Sequence, residues 1–308
     1  PTAVARLAYE LALAAIVEPN LRVHDSVNIN GKVAVFFDLL VGDLDMLAAR
    51  LPAPHKVVQG RRVLHALSGS LARCHAAGFA HGDVKLGNAL FRADGTIHLW
   101  DFGLAKPIGL DGLCHDNAGT FRAPEQYLGL PGRDDLAFDA RIDAWSLGVA
   151  LADFHVSWGR CPLNAMRTLA RQGQWTQLRN LTDDFEAWRL SLFEGDTLRL
   201  DRIRSGGSPA DPAKCWDDYF GAVADADPSL CALILEGMLT VCVDDRFAMD
   251  ALHKASALYL VPADTPEAEA AAEAMKRVAT SIEEKRASIF DVLAYVRRKH
   301  LAGDDANL

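Results

Sequence analysis

The 308-residue sequence has no excess of basic charge, no CxxC pair, no internal repeat and no hydrophobic run of membrane-spanning length. Lysine and arginine number 32 against 41 aspartates and glutamates, a net charge of −9 at pH 7. Such a surface has no general attraction for nucleic acid or an anionic membrane, so neither is expected as a partner. No apolar stretch approaches the ~18 residues that a spanning helix needs. The segment Leu7–Val17 is interrupted by Glu10 and is followed by no cleavage-site pattern, so it reads as a helix and not as a secretory signal. The six cysteines are scattered, and none lies near histidines at zinc-finger spacing. Cysteines so spread through a long chain read as buried thiols of a reducing compartment, which points to an intracellular protein, cytoplasmic or nuclear.

What is there is an ordinary globular composition, 50% hydrophobic and 24% charged, which excludes disorder and collagen-like repeats. At roughly 100–200 residues per domain, the length allows two domains or one two-lobed unit. It opens on Pro1 with no methionine, as a fragment of a longer protein would. Residues 3–17 are Ala- and Leu-rich and stop at Glu18-Pro19-Asn20, because the residue before a proline disfavours helix. Two β-like runs, Leu21–Ile29 and Lys32–Leu40, meet at Asn30-Gly31, a strong hairpin signal. Val63, Leu64, Leu67, Leu71, Cys74 and His75 recur at helical spacing as one buried stripe, which Gly78 terminates. Short strands are expected at Ala89–Phe91 and Ile97–Trp100 around an Asp94-Gly95 turn. Beyond residue 140 the pattern is helical, broken by a Gly/Ser/Pro/Asp stretch at 205–212 that reads as a surface insertion. The charged, Ala-rich, helical segment 264–300 is expected to be a solvated extension, with a docking helix as the alternative.

Two segments concentrate chemistry. The first, His81-Gly82-Asp83-Val84-Lys85-Leu86-Gly87-Asn88, lies in a loop between a helix and a strand. A loop cannot hide an Asp, a Lys and an Asn in a core without partners, so the three are expected to converge on something polar. The second, Asp101-Phe102-Gly103, follows an apolar strand. An Asp at a strand end with a Gly to turn the backbone suits a hard cation such as Mg²⁺, whose shell phosphate oxygens often complete.

Together these segments resemble the eukaryotic-type protein kinase signature, H-x-D-x-K-x-x-N followed by D-F-G, with Asp101 eighteen positions after Asp83. Further similarities follow in order: Ala123-Pro124-Glu125, then Asp143-Ala144-Trp145-Ser146-Leu147-Gly148, then Met238-Leu239 with Asp245-Arg246. The resemblance, over about residues 3–260, implies a two-lobed α+β kinase-like fold with a small, truncated N-lobe and a large helical C-lobe. Residues 1–40 would be the partial N-lobe, 41–261 the C-lobe with an insertion near 160–215, and 262–308 a helical tail. It implies ATP and Mg²⁺ as cofactors, Asp83 as the catalytic base and Lys85 against the γ-phosphate, with Asn88 and Asp101 as metal ligands. Asp143 would hold the catalytic-loop backbone, and Glu125 and Arg246 would form a buried ion pair. Upstream, Phe37 would be the gatekeeper, the backbone of Asp38 and Leu40 would bind the adenine edge, and Leu90 would form its floor. His81 would pack under Phe102.

The departures are equally specific. No G-x-G-x-x-G loop and no V-A-I-K strand precede residue 20; Ala3-Val4-Ala5-Arg6 echoes the latter with Arg6 only four residues from Glu10. Residues 3–17 are instead expected to be the small-lobe helix with Glu10 as the partner of the missing Lys; an ordinary exposed Glu is the alternative. Gly82 replaces the Arg of H-R-D, and no Ser, Thr or Tyr lies between Leu104 and Gly119. A loop without a phospho-acceptor needs no phosphate-binding Arg, so control by activation-loop phosphorylation is not expected. Gly119-Thr120-Phe121-Arg122-Ala123-Pro124-Glu125 is two residues short of the family's pattern, which leaves peptide preference and the reach of Thr120 open. Trp100 either belongs to the core or narrows the nucleotide pocket, and Cys114 lies on the activation loop.

The resemblance thus implies a Mg²⁺-dependent serine/threonine protein kinase acting on protein substrates, the Lys two residues after Asp83 being the Ser/Thr-type pattern. Nothing in the sequence fixes an oligomeric state. The rival readings are a pseudokinase scaffold, which the missing glycine-rich loop and Lys favour, and a phosphotransferase acting on a small molecule.

Overall fold

The computed structural model describes residues 3–29, 32–109, 121–127, 139–156, 161–203 and 212–304. The first helix, α1 (Ala3–Val17), buries Leu13, Ala14 and Val17 and stops before Pro19. Strands β1 (Val23–Ile29) and β2 (Lys32–Phe37) pair antiparallel from Val23↔Phe37 to Ile29↔Lys32, so the expected hairpin forms; Asn30 and Gly31 themselves lie outside the described residues. A short β3 (Gly42–Asp43) leads into α2 (Leu44–Arg50), whose first turn is capped by Asp43, its Oδ1 accepting from the Met46 N–H at 2.8 Å.

The long helix α3 (Ala53–Ala76) carries the apolar stripe read from the sequence: Val63, Leu64, Leu67, Leu71 and Cys74 are all buried. After it come β4 (Phe79–Ala80), β5 (Ala89–Phe91), β6 (Ile97–Leu99) and β7 (Lys106–Pro107). Strands β3, β5 and β6 form one antiparallel sheet, and β4 pairs with β7. This folds both chemistry-bearing segments, 81–88 and 101–103, onto the C-terminal end of α3.

The back of the molecule is helical: α4 (Pro124–Tyr127), α5 (Ile142–Val156), α6 (Asn164–Arg171) and α7 (Trp175–Ser191). A small hairpin, β8 (Phe193–Glu194) with β9 (Thr197–Leu198), then precedes α8 (Pro212–Ala226), α9 (Pro228–Gly237) and α10 (Met249–Ser256). Residues 142–155 of α5 are buried on every side, as expected of a helix that is apolar all round and central to a core. Arg61 of α3 grips Asp227, the N-cap of α9, through two hydrogen bonds of 2.8 and 2.9 Å. The two-lobed α+β arrangement expected from the sequence is therefore present. The 205–211 part of the expected insertion lies outside the described residues.

Two expectations need correction. The C-terminal segment is not a solvated extension: α11 (Pro266–Asp304) buries Ala268, Ala271, Ala274, Met275, Val278, Ala279 and Ile282 in one stripe. Gln59 of α3 donates to the Ala271 carbonyl at 3.1 Å, which fixes the helix pair. Small alanines let the two backbones approach closely, so a stripe of modest hydrophobicity still packs. Nor are the cysteines all buried, since Cys215 and Cys242 are exposed while Cys74, Cys161 and Cys231 are not; among the described residues no disulfide forms. No described helix is long and apolar enough to cross a membrane.

Candidate functional site

The site is assembled around Asp143, in the first turn of the buried helix α5. Its carboxylate accepts from the backbone N–H of His81 at 2.8 Å and of Gly82 at 2.9 Å, and from His75 Nε2 at 2.8 Å. Burial alone would raise its pKa, but the His75 hydrogen bond, the charge of His75 and the Gly82 N–H together hold it below the usual carboxylate range. Gly82 sits at φ 75°, in the left-handed region that glycine enters without steric cost. That gives Gly82 a backbone reason of its own, independent of any activation loop.

The loop thus pinned presents Asp83, Lys85 and Asn88 to one another. Lys85 Nζ lies 2.6 Å from Asp83 Oδ2, and Asn88 Nδ2 donates both to that oxygen at 3.0 Å and to the Asp83 carbonyl at 2.9 Å. Among the described residues, no hydrogen bond engages the other carboxylate oxygen, Oδ1. The Asp83 N–H donates to His81 Nδ1 at 3.2 Å, which puts the ring proton on Nε2, where it is given to the Trp100 carbonyl at 3.1 Å. His81 also meets the Phe102 ring edge-on at 5.0 Å. One histidine thereby ties the 81–83 loop to the 100–102 turn.

Asp101 is the one non-glycine residue with positive φ among the described residues, at φ 62° and ψ 69°. For a side chain bearing Cβ this costs roughly 1–2 kcal/mol. Its carboxylate is exposed, and the structure does not bring it into direct contact with Asp83, Lys85 or Asn88. Its neighbour is Glu10 of α1: a Cβ built on Gly103 would lie 3.2 Å from Asp101 Oδ1 and 3.7 Å from Glu10 Oε2. Burial, and then the charge of Asp101, raise the Glu10 pKa. Glu10 is therefore not an ordinary exposed residue, and among the described residues no cationic side chain pairs with it. The α1 helix is also held by the Tyr9 hydroxyl, which donates to the Ala105 carbonyl at 3.3 Å.

The segment 38–41 borders this site. The Phe37 ring lies 4.5 Å from the Trp100 ring, centroid to centroid, so Trp100 packs against Phe37 immediately before Asp101. The Asp38 N–H donates to the Arg22 carbonyl at 3.1 Å. Its carboxylate accepts from the Arg22 N–H at 3.3 Å, His24 Nε2 at 2.8 Å and Arg92 Nη2 at 2.5 Å, and these contacts hold its pKa down to about 2. Leu90 is half-buried on the face of β5 opposite buried Ala89 and Phe91. The Leu40 carbonyl is occupied, accepting from Arg286 Nη1 at 3.0 Å. Its N–H and the Asp38 carbonyl carry no hydrogen bond among the described residues.

Sequence reading missed four of the site's supports. The helical spacing places His75 in the apolar stripe, yet its Nε2 donates to the Asp143 carboxylate. Glu18 looked like a helix stop; it is buried, accepting from the Ser70 hydroxyl, from His98 Nδ1–H at 2.9 Å and from the Leu99 N–H at 3.0 Å. Arg92 Nε in turn donates to His98 Nε2 at 3.2 Å, so Glu18, His98, Arg92 and Asp38 form one chain. Arg286 carries no local signal at all. The expected Glu125–Arg246 pair is present. The readings placed on Cys114 and Thr120 lie outside the described residues.

A family model described as the protein kinase domain matches residues 13–257. The chain is 38% identical over 140 residues to CBL-interacting protein kinase 4 of Oryza sativa subsp. japonica, covering 42% of this chain and 29% of that one. It is 30% identical over 195 residues to human cyclin-dependent kinase 9, covering 57% of this chain and 50% of that one. With serine/threonine-protein kinase par-4 of Caenorhabditis elegans the identity is 32% over 127 residues, covering 39% of this chain and 20% of that one. The chain thus matches between a fifth and a half of the length of these relatives.

Proposed function

The chain belongs to the protein kinase family, and from that premise we propose that it transfers the γ-phosphoryl group of ATP to serine and threonine hydroxyls of protein substrates. The observation that carries this reading is the convergence of Lys85 and Asn88 on one oxygen of Asp83, on a loop strapped to buried Asp143. Phosphoryl transfer asks for in-line positioning and charge neutralisation more than for covalent chemistry. In this reading Asp83 orients the acceptor hydroxyl and takes its proton on the unengaged Oδ1, while Lys85 and Asn88 fix the carboxylate through Oδ2. Lys85 also supplies the positive charge beside the transferred group.

Asp101 and the amide oxygen of Asn88 are the groups that would hold Mg²⁺. Both are hard oxygen donors: Asn88 spends its Nδ2 on Asp83 and keeps Oδ1 for a ligand, and exposed Asp101 has no cationic partner among the described residues. One or two protein oxygens, with phosphate oxygens completing the shell, are what Mg²⁺ takes in nucleotide sites, where it neutralises phosphate charge. The Asp38 carbonyl and the Leu40 N–H offer an acceptor and a donor to the adenine edge, Leu90 lies under the base, and Phe37 against Trp100 closes the back. The absence of Ser, Thr and Tyr from Leu104 to Gly119 supports a kinase that is not switched by phosphate on its own loop.

A second reading, a nucleotide-binding module without transfer activity, is favoured by Glu10 standing beside Asp101 with no cationic partner for either among the described residues. Radiolabelled ATP and Mg²⁺ offered with a peptide mixture, and separately with sugars and amino alcohols, decide between the readings. Label in peptide Ser/Thr, lowered at least ~100-fold by Asp83→Asn, is the expected result, on the scale of lost general-base catalysis. Label in the small alcohols alone, or near-normal transfer by Asp83→Asn, would overturn it. Nucleotide binding with no transfer to either class would establish the second reading.

A further inference from the structure

Arg286 stands on α11, remote in sequence from every residue assigned a chemical role above. Yet its guanidinium donates to two consecutive carbonyls of the 38–41 segment, Leu40 at 3.0 Å and Val41 at 2.6 Å, across about 245 positions of the chain. A guanidinium presents its donors in a rigid planar fork, and peptide groups are themselves planar. Two adjacent carbonyls held by one fork therefore restrain the Leu40–Val41 and Val41–Gly42 peptides, and the Leu40 N–H, on the peptide just before them, is joined to this restrained pair through the Leu40 Cα.

The same short segment is fastened elsewhere by independent contacts. The Val41 N–H donates to the Phe91 carbonyl at 2.9 Å, and Asp38 is gripped by Arg22, His24 and Arg92. Among the described residues, the backbone groups between these fastenings that carry no hydrogen bond are the Asp38 carbonyl, the N–H and carbonyl of exposed Leu39, and the Leu40 N–H. The helix that delivers Arg286 is anchored separately, by the buried stripe that ends at Met275, Val278, Ala279 and Ile282. Ile282 lies four residues before Arg286, so both project from the same side of the helix. Arg286 itself is only partly buried, so it can be changed without emptying the core.

We propose that Arg286 is a positioning residue for the nucleotide base, and that seating of α11 and binding of adenine are coupled through segment 38–41. The proposal rests on the nucleotide reading of the site given above. Coupling is reciprocal: whatever factor the seated helix adds to adenine affinity, bound adenine returns to the seating of the helix. Any event that lifts residues near 286 would then weaken the base subsite while leaving Asp83, Lys85 and Asn88 in place.

The test compares the full chain with Arg286→Gln, which loses the charge and the fork, and Arg286→Lys, which keeps the charge alone. Without ligand, backbone hydrogen exchange over 38–43 is expected to quicken in Arg286→Gln while 268–282 of α11 stays protected. Dissociation constants are then measured for adenosine and for ATP with Mg²⁺. Both should weaken by the same factor, about tenfold, with Arg286→Lys between, because the base and not the phosphates has lost its support. Unchanged exchange over 38–43, unchanged affinities, or a loss confined to ATP would overturn the proposal. A parent chain that binds neither adenosine nor ATP would refute the nucleotide reading and the coupling with it. A parent that binds both, with variants that bind equally well, would refute the coupling alone.

Discussion

Arg246 grips Glu125 with both arms of its guanidinium, at 2.5 and 2.8 Å, from 121 positions further along the chain. The arginine side chain is wholly buried and the carboxylate nearly so. Arg246 also donates to the Thr240 carbonyl at 2.7 Å and lies over the Trp145 ring at 5.1 Å. Its two remaining donors reach the Val241 carbonyl at 3.2 Å and the Arg141 carbonyl at 3.5 Å, so all five are used, and the pair joins α4 to the segment before α10.

Removing one partner leaves the other charge buried and uncompensated. Glu125→Ala is expected to cost about 3–5 kcal/mol in chemical denaturation, the usual scale for breaking a buried pair. Arg246→Lys, which cannot fork, should fall between the parent and Glu125→Ala. A loss below about 1 kcal/mol for Glu125→Ala would show that the pair is screened by solvent.

Gly237 gives a second expectation, from steric contact alone. A Cβ at this position would lie 2.2 Å from the Phe247 ring, whose own N–H donates to the Gly237 carbonyl at 2.7 Å. Neither backbone can withdraw without losing that hydrogen bond. Gly237→Ala should destabilise by about 1–3 kcal/mol, the range for overpacking. Adding Phe247→Ala should make the double variant cost less than the sum of the two single changes, since one makes the room the other needs.

These contacts differ in how far the sequence announced them. The β1–β2 hairpin, the α3 stripe and the Asp94-Gly95 turn were legible because each is set by neighbours a few residues apart. Asp83, Lys85 and Asn88 were legible because a loop cannot bury three such groups without a common purpose. Glu125 with Arg246 was visible only through family resemblance, since nothing local pairs residues so far apart. The packing of α11 was missed because hydrophobicity undervalues alanine, whose contribution is close approach. Glu18 was missed because a charged residue before a proline looks like a surface stop, and its partners Ser70, His98 and Leu99 come from two other elements.

Glu18 therefore offers a test of that hidden chain. Its two oxygens accept from three donors, one of them the Nδ1–H of His98, whose Nε2 must accept because Arg92 has only donors to give. In Glu18→Gln an NH₂ replaces one acceptor and faces a donor. The expected cost is about 1–3 kcal/mol, the penalty of a buried polar group left unpaired, read from the thermal or urea midpoint. Glu18→Gln with the stability of the parent would mean that water reaches this site.

Asp45 gives an expectation whose sign depends on pH. Its carboxylate is half-buried, and Oδ1 has no partner among the described residues. Burial first, then the charge of Asp43, raise its pKa from an ordinary 3.8 to about 6, with Lys85 pulling the other way. A carboxyl whose folded pKa exceeds its unfolded one takes up a proton on folding between those values. It is thus a penalty at neutral pH, relieved as pH falls from about 6 toward 3.8. His65 and His155 act in the opposite sense, since burial, joined at His65 by the charge of His253, lowers both below 6.5. For them the unfolded chain binds protons more readily, so stability is lost as pH falls through about 6.5. Asp45→Asn isolates the carboxyl from these histidines, which both proteins share. At pH 7.5 the variant should be more stable by about 1 kcal/mol, a figure kept small because a half-exposed carboxylate is screened by solvent. The gap should narrow by pH 5 and close near pH 4 in urea titrations. A variant less stable than the parent at pH 7.5, or a gap that does not change with pH, would show that the Asp45 carboxylate is already well solvated in the folded chain.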